Sequence, residues 1–487
     1  MSTVEQQGQR LAVSGSAGVR TWGDHDPLVE AGRPAKRMWS TPHGVAFWVV
    51  GAAFLLNMAF SAVPTPLYVL YQQRDHFSGI MVTIVYAVYA VGVIGSLFLA
   101  GHISDWVGRR RVLVVALLVN VASAVLFIFF PSLAGLIVAR IVSGISVGLT
   151  TATATAYLAE LHLGARPDAT GKRPQVVATA ANLGGIGVGP LVAGLLAQFA
   201  PAPLRLPYIV VGGMLAVLAL FVAVAPETTT PPDPRPAWHP QRVAVPKHAR
   251  GHFYAATSAA IAAFAVYGVF NSLVPSFLAG TLHVNSHATA GVVAFSAFAA
   301  GALAQIALAK LGNVRLLRWS LPVLLLGLVL FATGMWVANL VVFVVGGIVT
   351  GAGGGLVFRG ALVAAGSTAP TESRAEVLAG FFLGAYIGLS VPVIGLGIAT
   401  TYAPARDVML VFVVLVAVAV TLSVRAVIRH AHVTQSPSSP PLNPSGGPPS
   451  RPTERIGRSL VRPSSTGSGI ASRFEAIPSS ASTRGSG

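Results

Sequence analysis

Hydrophobic residues occur along this chain in long blocks that short polar stretches separate. Each block is about 20 residues or longer, the length that a helix needs to cross the hydrocarbon core of a bilayer. The pattern predicts an all-α integral membrane protein with 12 transmembrane helices. The predicted spans are 44–70, 80–101, 112–130, 133–160, 175–199, 206–225, 253–279, 287–310, 316–336, 338–366, 375–400 and 405–428.

Composition excludes a soluble fold. Hydrophobic residues make up 54% of the 487 positions and charged residues 10%, whereas soluble domains carry about 25% charged residues. The net charge of +17 raises the possibility of nucleic acid binding. Basic residues bracket the apolar blocks, however, and form no single basic face, so we expect no nucleic acid partner. Cysteine is absent, which excludes disulfides and thiolate metal sites.

Lysine and arginine are unevenly divided between the two sets of loops. With a cytoplasmic N-terminus, 14 of them lie in inward loops and three, Arg74, Arg205 and Arg406, in outward loops. The positive-inside rule then predicts a multi-pass protein of the cell membrane with both termini in the cytoplasm.

The chain divides into two similar halves. We expect a disordered cytoplasmic tail (1–43), a six-helix bundle (44–226), a central cytoplasmic loop (227–251), a second six-helix bundle (252–429) and a disordered cytoplasmic tail (430–487). Short matches recur at an offset of roughly 200 residues, which favours a duplicated unit with a cavity between the halves. The matches are Arg140–Gly144 with Gly347–Gly351, Tyr86–Gly92 with Phe295–Gly301, and Val63-Pro64 with Val274-Pro275.

The loop between the second and third spans carries the most specific motif. Residues 101–111 read G-H-I-S-D-W-V-G-R-R-R. This loop resembles that of the major facilitator superfamily, G-x-x-x-D-x-x-G-R-[RK], and the matching residues are Gly101, Asp105, Gly108, Arg109 and Arg110. The resemblance implies two pseudo-symmetric six-helix bundles and a latch in which Asp105 faces the start of the eleventh helix.

Two further spans carry charges or motifs of interest. Arg140 and Gly144 in the fourth span resemble the R-x-x-x-G motif of the same family, whose arginine tunes a nearby acid in proton-coupled members. A guanidinium in hydrocarbon calls for a partner or a cavity, unless it reaches the outer surface. Arg359 in the tenth span is a second intramembrane cation, able to bind an anionic group or to reach the inner surface.

The fifth span is rich in glycine around one proline. Gly185, Gly189, Pro190 and Gly194 resemble the antiporter motif G-x-x-x-G-P-x-x-[GA]-G of the 12-helix drug/proton antiporter group. The proline removes a helix hydrogen bond and the glycines allow tight packing, which we expect against the eighth span. The resemblance is the reason to favour efflux over uptake.

No enzyme site is apparent. The run 144–148 fits G-x-S-x-G but lies within a helix without catalytic partners. The glycines of 351–355 lack the strand and the lysine of a phosphate loop. We therefore expect no catalysis, no cofactor and no metal.

A proton antiporter needs a titratable group near the cavity, most often Asp or Glu. The first span contains no acid, and Asp75, Glu160, Glu372 and Glu376 all fall near span ends. From helix position we select five candidates for contact with a substrate in the cavity, namely Asn57, Tyr68, Tyr71, Tyr267 and Asn271.

The favoured hypothesis is a monomeric transporter that exports small amphipathic compounds by proton antiport with alternating access. One alternative is an importer of a small organic anion or sugar that uses Arg140 and Arg359 as counter-charges. Another is a membrane scaffold or sensor that retains the fold without transport.

Overall fold

The computed structural model describes residues 41–168, 171–229, 240, 245–368 and 374–433. Nearly all of both predicted tails and most of the predicted central loop lie outside these residues. Within them are 12 helices long and apolar enough to cross a membrane and no β-strand, which confirms the predicted fold class. We label them α1 to α12: His43–Asp75, Gly79–Ala100, Arg109–Phe129, Leu133–Ala165, Lys172–Phe199, Leu206–Ala223, Lys247–Ser272, His287–Ala307, Asn313–Trp336, Leu340–Gly366, Glu376–Ala399 and Ala405–His430.

Helix packing repeats between the halves. In the first half α1 contacts α4, α5 and α6, α2 and α3 contact α4, and α3 contacts α6. The same pairs recur in the second half, where α7 contacts α10, α11 and α12, α8 and α9 contact α10, and α9 contacts α12. The most extensive contacts between the halves are those of α2 with α11 and of α5 with α8. The structure is therefore a pseudo-symmetric pair of six-helix bundles.

Proline interrupts the corresponding helix of each half. Regular helix in α1 ends at Ala62, and a 3₁₀ turn, Thr65–Leu67, separates it from Tyr68–Asp75. Helix α7 ends at Ser272 and a separate helix, Val274–Gly280, follows. Because proline has no N–H to donate, Pro64 and Pro275 favour these breaks. The first span is thus longer than predicted, and the seventh ends earlier.

Glycines allow close approach at the matched sites of the two halves. A Cβ on Gly144 of α4 would collide with the Tyr89 carbonyl of α2. A Cβ on Gly351 of α10 would likewise collide with the Ala297 carbonyl of α8. Small residues let membrane helices pack at short distance. The repeat found in the sequence therefore marks equivalent helix crossings.

The bundle has two chemically different ends. One carries Arg109–Arg111, Arg166, Lys172, Arg173, Lys310 and Arg315, and we call it the basic end. The other, which holds the end of α1 at Asp75 and the end of α5 at Phe199, we call the opposite end. Large apolar side chains such as Val411, Leu415 and Leu422 of α12 are exposed along the bundle, as expected for a surface that faces lipid.

Candidate functional site

A narrow cavity lies between the two halves. Both halves contribute to its wall, and six of its twelve lining residues are aromatic. Tyr267 and Phe298 stack with ring centroids 4.7 Å apart, and Tyr89 meets Tyr386 edge to face at 6.4 Å. The lining residues are Ser61, Tyr86, Tyr89, Arg140, Leu183, Ile186, Phe264, Tyr267, Asn271, Phe298, Tyr386 and Leu389. Three residues named from the sequence, Arg140, Tyr267 and Asn271, are therefore part of this wall.

Arg140 is the only charged residue among those that line the cavity. Its side chain is 2% exposed, so it does not reach the surface of the bundle. Its guanidinium donates to the backbone carbonyls of Ser61 at 2.5 Å, Tyr86 at 3.2 Å and Val85 at 3.3 Å. The Tyr89 ring lies 4.5 Å from the guanidinium carbon, in reach of a cation–π interaction.

Gly144 brings the backbone acceptors of Arg140 into place. It lies one helical turn along α4 from Arg140, at a point where α2 approaches closely. The carbonyls of Val85 and Tyr86 on α2 thereby come within hydrogen-bond distance of the arginine. The R-x-x-x-G spacing thus joins a buried cation to the helix crossing that supports it.

Asn57 lies outside the cavity wall. Its side chain is fully buried, donates to Thr150 at 2.8 Å, and accepts from Asn120 at 2.8 Å and Ser146 at 3.0 Å. These bonds tie α1, α3 and α4 together. The structure thus places Asn57, predicted to contact substrate, away from the cavity wall, with its amide bonded within the first half.

Tyr68 and Tyr71 also lie apart from the cavity wall. Both are buried in the last part of α1, toward the opposite end. The Tyr71 and Tyr208 hydroxyls are 3.5 Å apart, and Tyr208 stacks on Phe127 at 4.5 Å. These tyrosines pack within the first half in this conformation.

The motif loop forms an ion-pair cluster at the basic end. Arg109 pairs with Asp105 at 2.5 Å and with Glu160 of α4 at 3.1 Å, and it donates to Ser104 at 2.6 Å. The Asp105 side chain is 56% exposed. Gly101 continues α2 with a helical backbone, whereas Gly108 has φ of 111°, which favours glycine. The side chains immediately before Glu376, which Asp105 would face in a latch, lie outside the described residues.

Glu227, which no sequence motif singles out, also belongs to this cluster. Its carboxylate accepts from the backbone N–H of Arg110 at 3.4 Å, at the start of α3. Negative charge is favoured at a helix N-terminus. Arg110 in turn donates to the Ala225 carbonyl at 3.1 Å, and Thr228 donates to Glu160 at 2.5 Å. The segment after α6 is therefore fixed to the first half, inside the predicted central loop.

The glycines of α5 face two different helices. Gly185 and Gly189 leave room for the α1 backbone, at Leu55 and Ala59. Gly194 leaves room for His287 of α8. Gly291 of α8 lies against the Pro190 carbonyl. The prediction of tight packing against the eighth span thus applies to Pro190 and Gly194, while Gly185 and Gly189 hold α5 to its own half.

Arg359 lies away from the cavity wall. Its guanidinium donates to the backbone carbonyls of Gln305 and Ala309 at the end of α8. Positive charge is favourable at a helix C-terminus. Arg359 thus joins α10 to α8 near the basic end, and the structure gives it a packing role there.

The halves meet closely toward the opposite end. The His287 N–H donates to Gln198 at 3.0 Å, and a Cβ on Gly397 of α11 would touch Thr83 of α2. Nearer the middle, Thr65 donates to Asn271 at 3.5 Å. Contacts between halves that gather at one end of a cavity are typical of a transporter closed at that end. No group of three or more His, Asp or Glu residues suited to a metal occurs in the part of the chain that the structure describes.

A family model for the Major Facilitator Superfamily matches residues 49–332, more than half of the chain. The chain belongs to the major facilitator superfamily. Transporters of this superfamily bind small-molecule substrates within a bilayer, and this one is a multi-pass membrane protein with 12 spans. A search of curated proteins gave no match.

Two solved transporter structures have a similar fold. One is a mutant of the nucleoside transporter NupG, with a TM-score of 0.60, 13% identity, and coverage of 78% of this chain and 99% of that one. The other is a bacterial homolog of the human lysosomal transporter Spinster, in an inward-facing and unoccupied conformation. Its TM-score is 0.58, with 15% identity and coverage of 80% of this chain and 98% of that one. These identities support the fold alone.

Proposed function

We propose that this major facilitator transporter exports small amphipathic compounds through the central cavity by alternating access. The cavity carries the proposal, because its wall combines six aromatic rings with Arg140, Ser61 and Asn271. Aromatic surfaces with a few polar groups are typical of sites for small amphipathic ligands. Closure at the opposite end then represents one of the two states of the cycle.

We further propose that the basic end faces the cytoplasm of the cell that carries the protein in its cell membrane. The charge distribution between the loops supports this orientation. The cavity would then be closed toward the outside, ready to receive a compound from within. The antiporter-like motif around Pro190 supports export with proton antiport. No carboxylate belongs to the described cavity wall, so a coupled proton would be carried outside that wall.

Everted membrane vesicles that contain the protein provide the test. With a proton gradient imposed, we expect accumulation of small amphipathic dyes inside the vesicles, and loss of that accumulation on addition of an uncoupler. Vesicles without the protein are the control. Concentrative uptake that persists with the uncoupler would contradict proton coupling. Absence of dye flux under every gradient would contradict export and favour the scaffold or sensor alternative.

Import of a small organic anion is the second candidate function, and Arg140 favours it. The cation lies in the cavity wall with backbone carbonyls as its hydrogen-bond acceptors. Right-side-out vesicles distinguish the two directions, since an importer would concentrate the compound in them and an exporter would not.

A further inference from the structure

We infer that the substrate is a small aromatic anion whose negative group binds between Arg140 and Tyr86. This inference rests on the proposed transport function and adds the chemical class of the substrate. Three features of the cavity support it, namely the unused donors of the arginine, the neutral polar groups beside it and the aromatic rings around them.

The first feature is the buried charge of Arg140. Its three hydrogen bonds to backbone carbonyls use three of the five N–H groups of a guanidinium. No ion pair involving Arg140 occurs among the described residues. A buried charge without a counter-ion is costly, and an anion placed beside it would lower that cost. The two remaining N–H groups can serve as donors to such an anion.

The second feature is the set of neutral groups beside the arginine. The Tyr86 hydroxyl is buried and has no hydrogen-bond partner of good geometry among the described residues. The Asn271 side chain lies within hydrogen-bonding reach of it. A buried hydroxyl without a well-formed hydrogen bond carries a desolvation cost that a bound acceptor would reduce. No Asp or Glu belongs to the described wall, so nothing there repels an anion.

The third feature is the aromatic remainder of the wall. Tyr267 stacks on Phe298 at 4.7 Å, and Phe264 lies 6.1 Å from Tyr386. Aromatic pairs are favourable at centroid distances of about 4.5–7 Å, so a substrate ring can pack against these side chains when the halves separate. An acidic group attached to one aromatic ring matches both parts of the wall.

An anionic substrate also suits export without a carboxylate in the cavity. A negative charge that leaves a cell with a negative interior moves with the membrane potential. Export of an anion would therefore receive a driving force even when the cavity wall itself carries no proton. This removes the need for an acid beside the substrate.

Three small probes of similar size test the inference on the purified full-length protein. Benzenesulfonate is a permanent anion, benzenesulfonamide is neutral and benzyltrimethylammonium is a permanent cation. We expect benzenesulfonate to stabilise the protein against thermal unfolding at concentrations about tenfold lower than the other two, as a charge-assisted hydrogen bond would produce. Equal or tighter binding of the neutral or cationic probe, or binding of none of the three, would overturn the inference.

Variants locate the binding site. Tyr86→Phe removes only a hydroxyl that makes no well-formed hydrogen bond, so the ligand-free protein should keep its thermal stability while its affinity for benzenesulfonate falls several-fold. Tyr208→Phe removes a hydroxyl that lies outside the cavity wall and is the matched control. Arg140→Gln should abolish the preference for the anion if it folds. An unchanged benzenesulfonate affinity in Tyr86→Phe would show that the anion binds elsewhere.

Flux measurements in proteoliposomes separate this inference from the proposed function. Transport of neutral or cationic aromatic compounds without benzenesulfonate would overturn the anion preference and leave the transport function intact. Binding of benzenesulfonate without flux of any compound would contradict the transport function instead.

Discussion

Asp105 and Arg109 form an ion pair where the motif loop meets α3. The pair lies at the surface of the basic end, with the carboxylate 56% exposed. Exposed ion pairs contribute little to stability. We therefore propose that Asp105 acts in the other state of the cycle, in which the family resemblance places it at the start of α11. A helix N-terminus there would favour the negative charge.

Replacement of Asp105 tests this assignment. Asp105→Asn keeps the side-chain size and removes the charge, so we expect transport to fall about tenfold, equivalent to roughly 1.4 kcal/mol, while thermal stability changes little. Initial rates of dye uptake in everted vesicles measure the effect. Asp168→Asn, which removes an exposed carboxylate between α4 and α5, is the control. Wild-type transport in Asp105→Asn would exclude the latch.

At the scale of single helices, the main packing feature is the close crossing of two helices at a glycine. The α2–α4 crossing at Gly144 also supports the hydrogen bonds of Arg140, so its geometry affects the cavity directly. The matched crossing of α8 and α10 at Gly351 includes the Tyr267 hydroxyl, which donates to the Gly351 carbonyl at 2.7 Å. Each crossing thus positions one residue of the cavity wall, Arg140 at the first and Tyr267 at the second.

An added methyl group at Gly144 should therefore be harmful. In Gly144→Ala the new Cβ would collide with the Tyr89 carbonyl, and we expect a loss of about 1–3 kcal/mol of stability, as for other overpacked sites. Thermal unfolding in detergent measures it. Gly95→Ala on α2 is the matched control, because a Cβ there has nothing within 4 Å. Equal melting temperatures for the two variants would contradict the close crossing.

Sequence patterns predicted where the helices lie better than they predicted which helix faces line the cavity. Long apolar blocks and the repeated glycines are local features, so the span number and the matched crossings could be read directly. The predicted spans 44–70 and 253–279, by contrast, ran past the breaks at Pro64 and Pro275. When a helix is apolar on all sides, its sequence does not indicate which face packs against the other helices. For that reason Asn57 was assigned to the cavity, whereas Tyr86 and Tyr386 were missed. Glu227 was missed because its partners are distant in sequence.

At the scale of the whole molecule, the halves are joined by α2 with α11 and by α5 with α8. Both pairs are in contact toward the opposite end, at Thr83 with Gly397 and at Gly194 with His287. Alternating access requires these contacts to separate once in each cycle. A covalent link across them should therefore arrest the protein in its present state.

The absence of cysteine from the chain makes this link easy to introduce. Oxidation of the double variant Thr83→Cys with Gly397→Cys should form a disulfide after a small local shift, because a Cβ on Gly397 lies beside the Thr83 side chain. Transport should be lost on oxidation and restored by reduction. The two single variants are controls, and both should be insensitive to oxidant. Full activity of the cross-linked protein would contradict rocking of the halves at this contact.

Arg140 has no equivalent in the second half. The matched position is Gly347, and a Phe270 ring lies close to the space that a side chain would occupy there. The two halves share one scaffold, yet among the described wall residues only the first half contributes a charge to the cavity. A substrate with a charged group at one end and an apolar group at the other would therefore bind in a single orientation. The distance between these two groups, more than the total size of the substrate, would decide whether it binds.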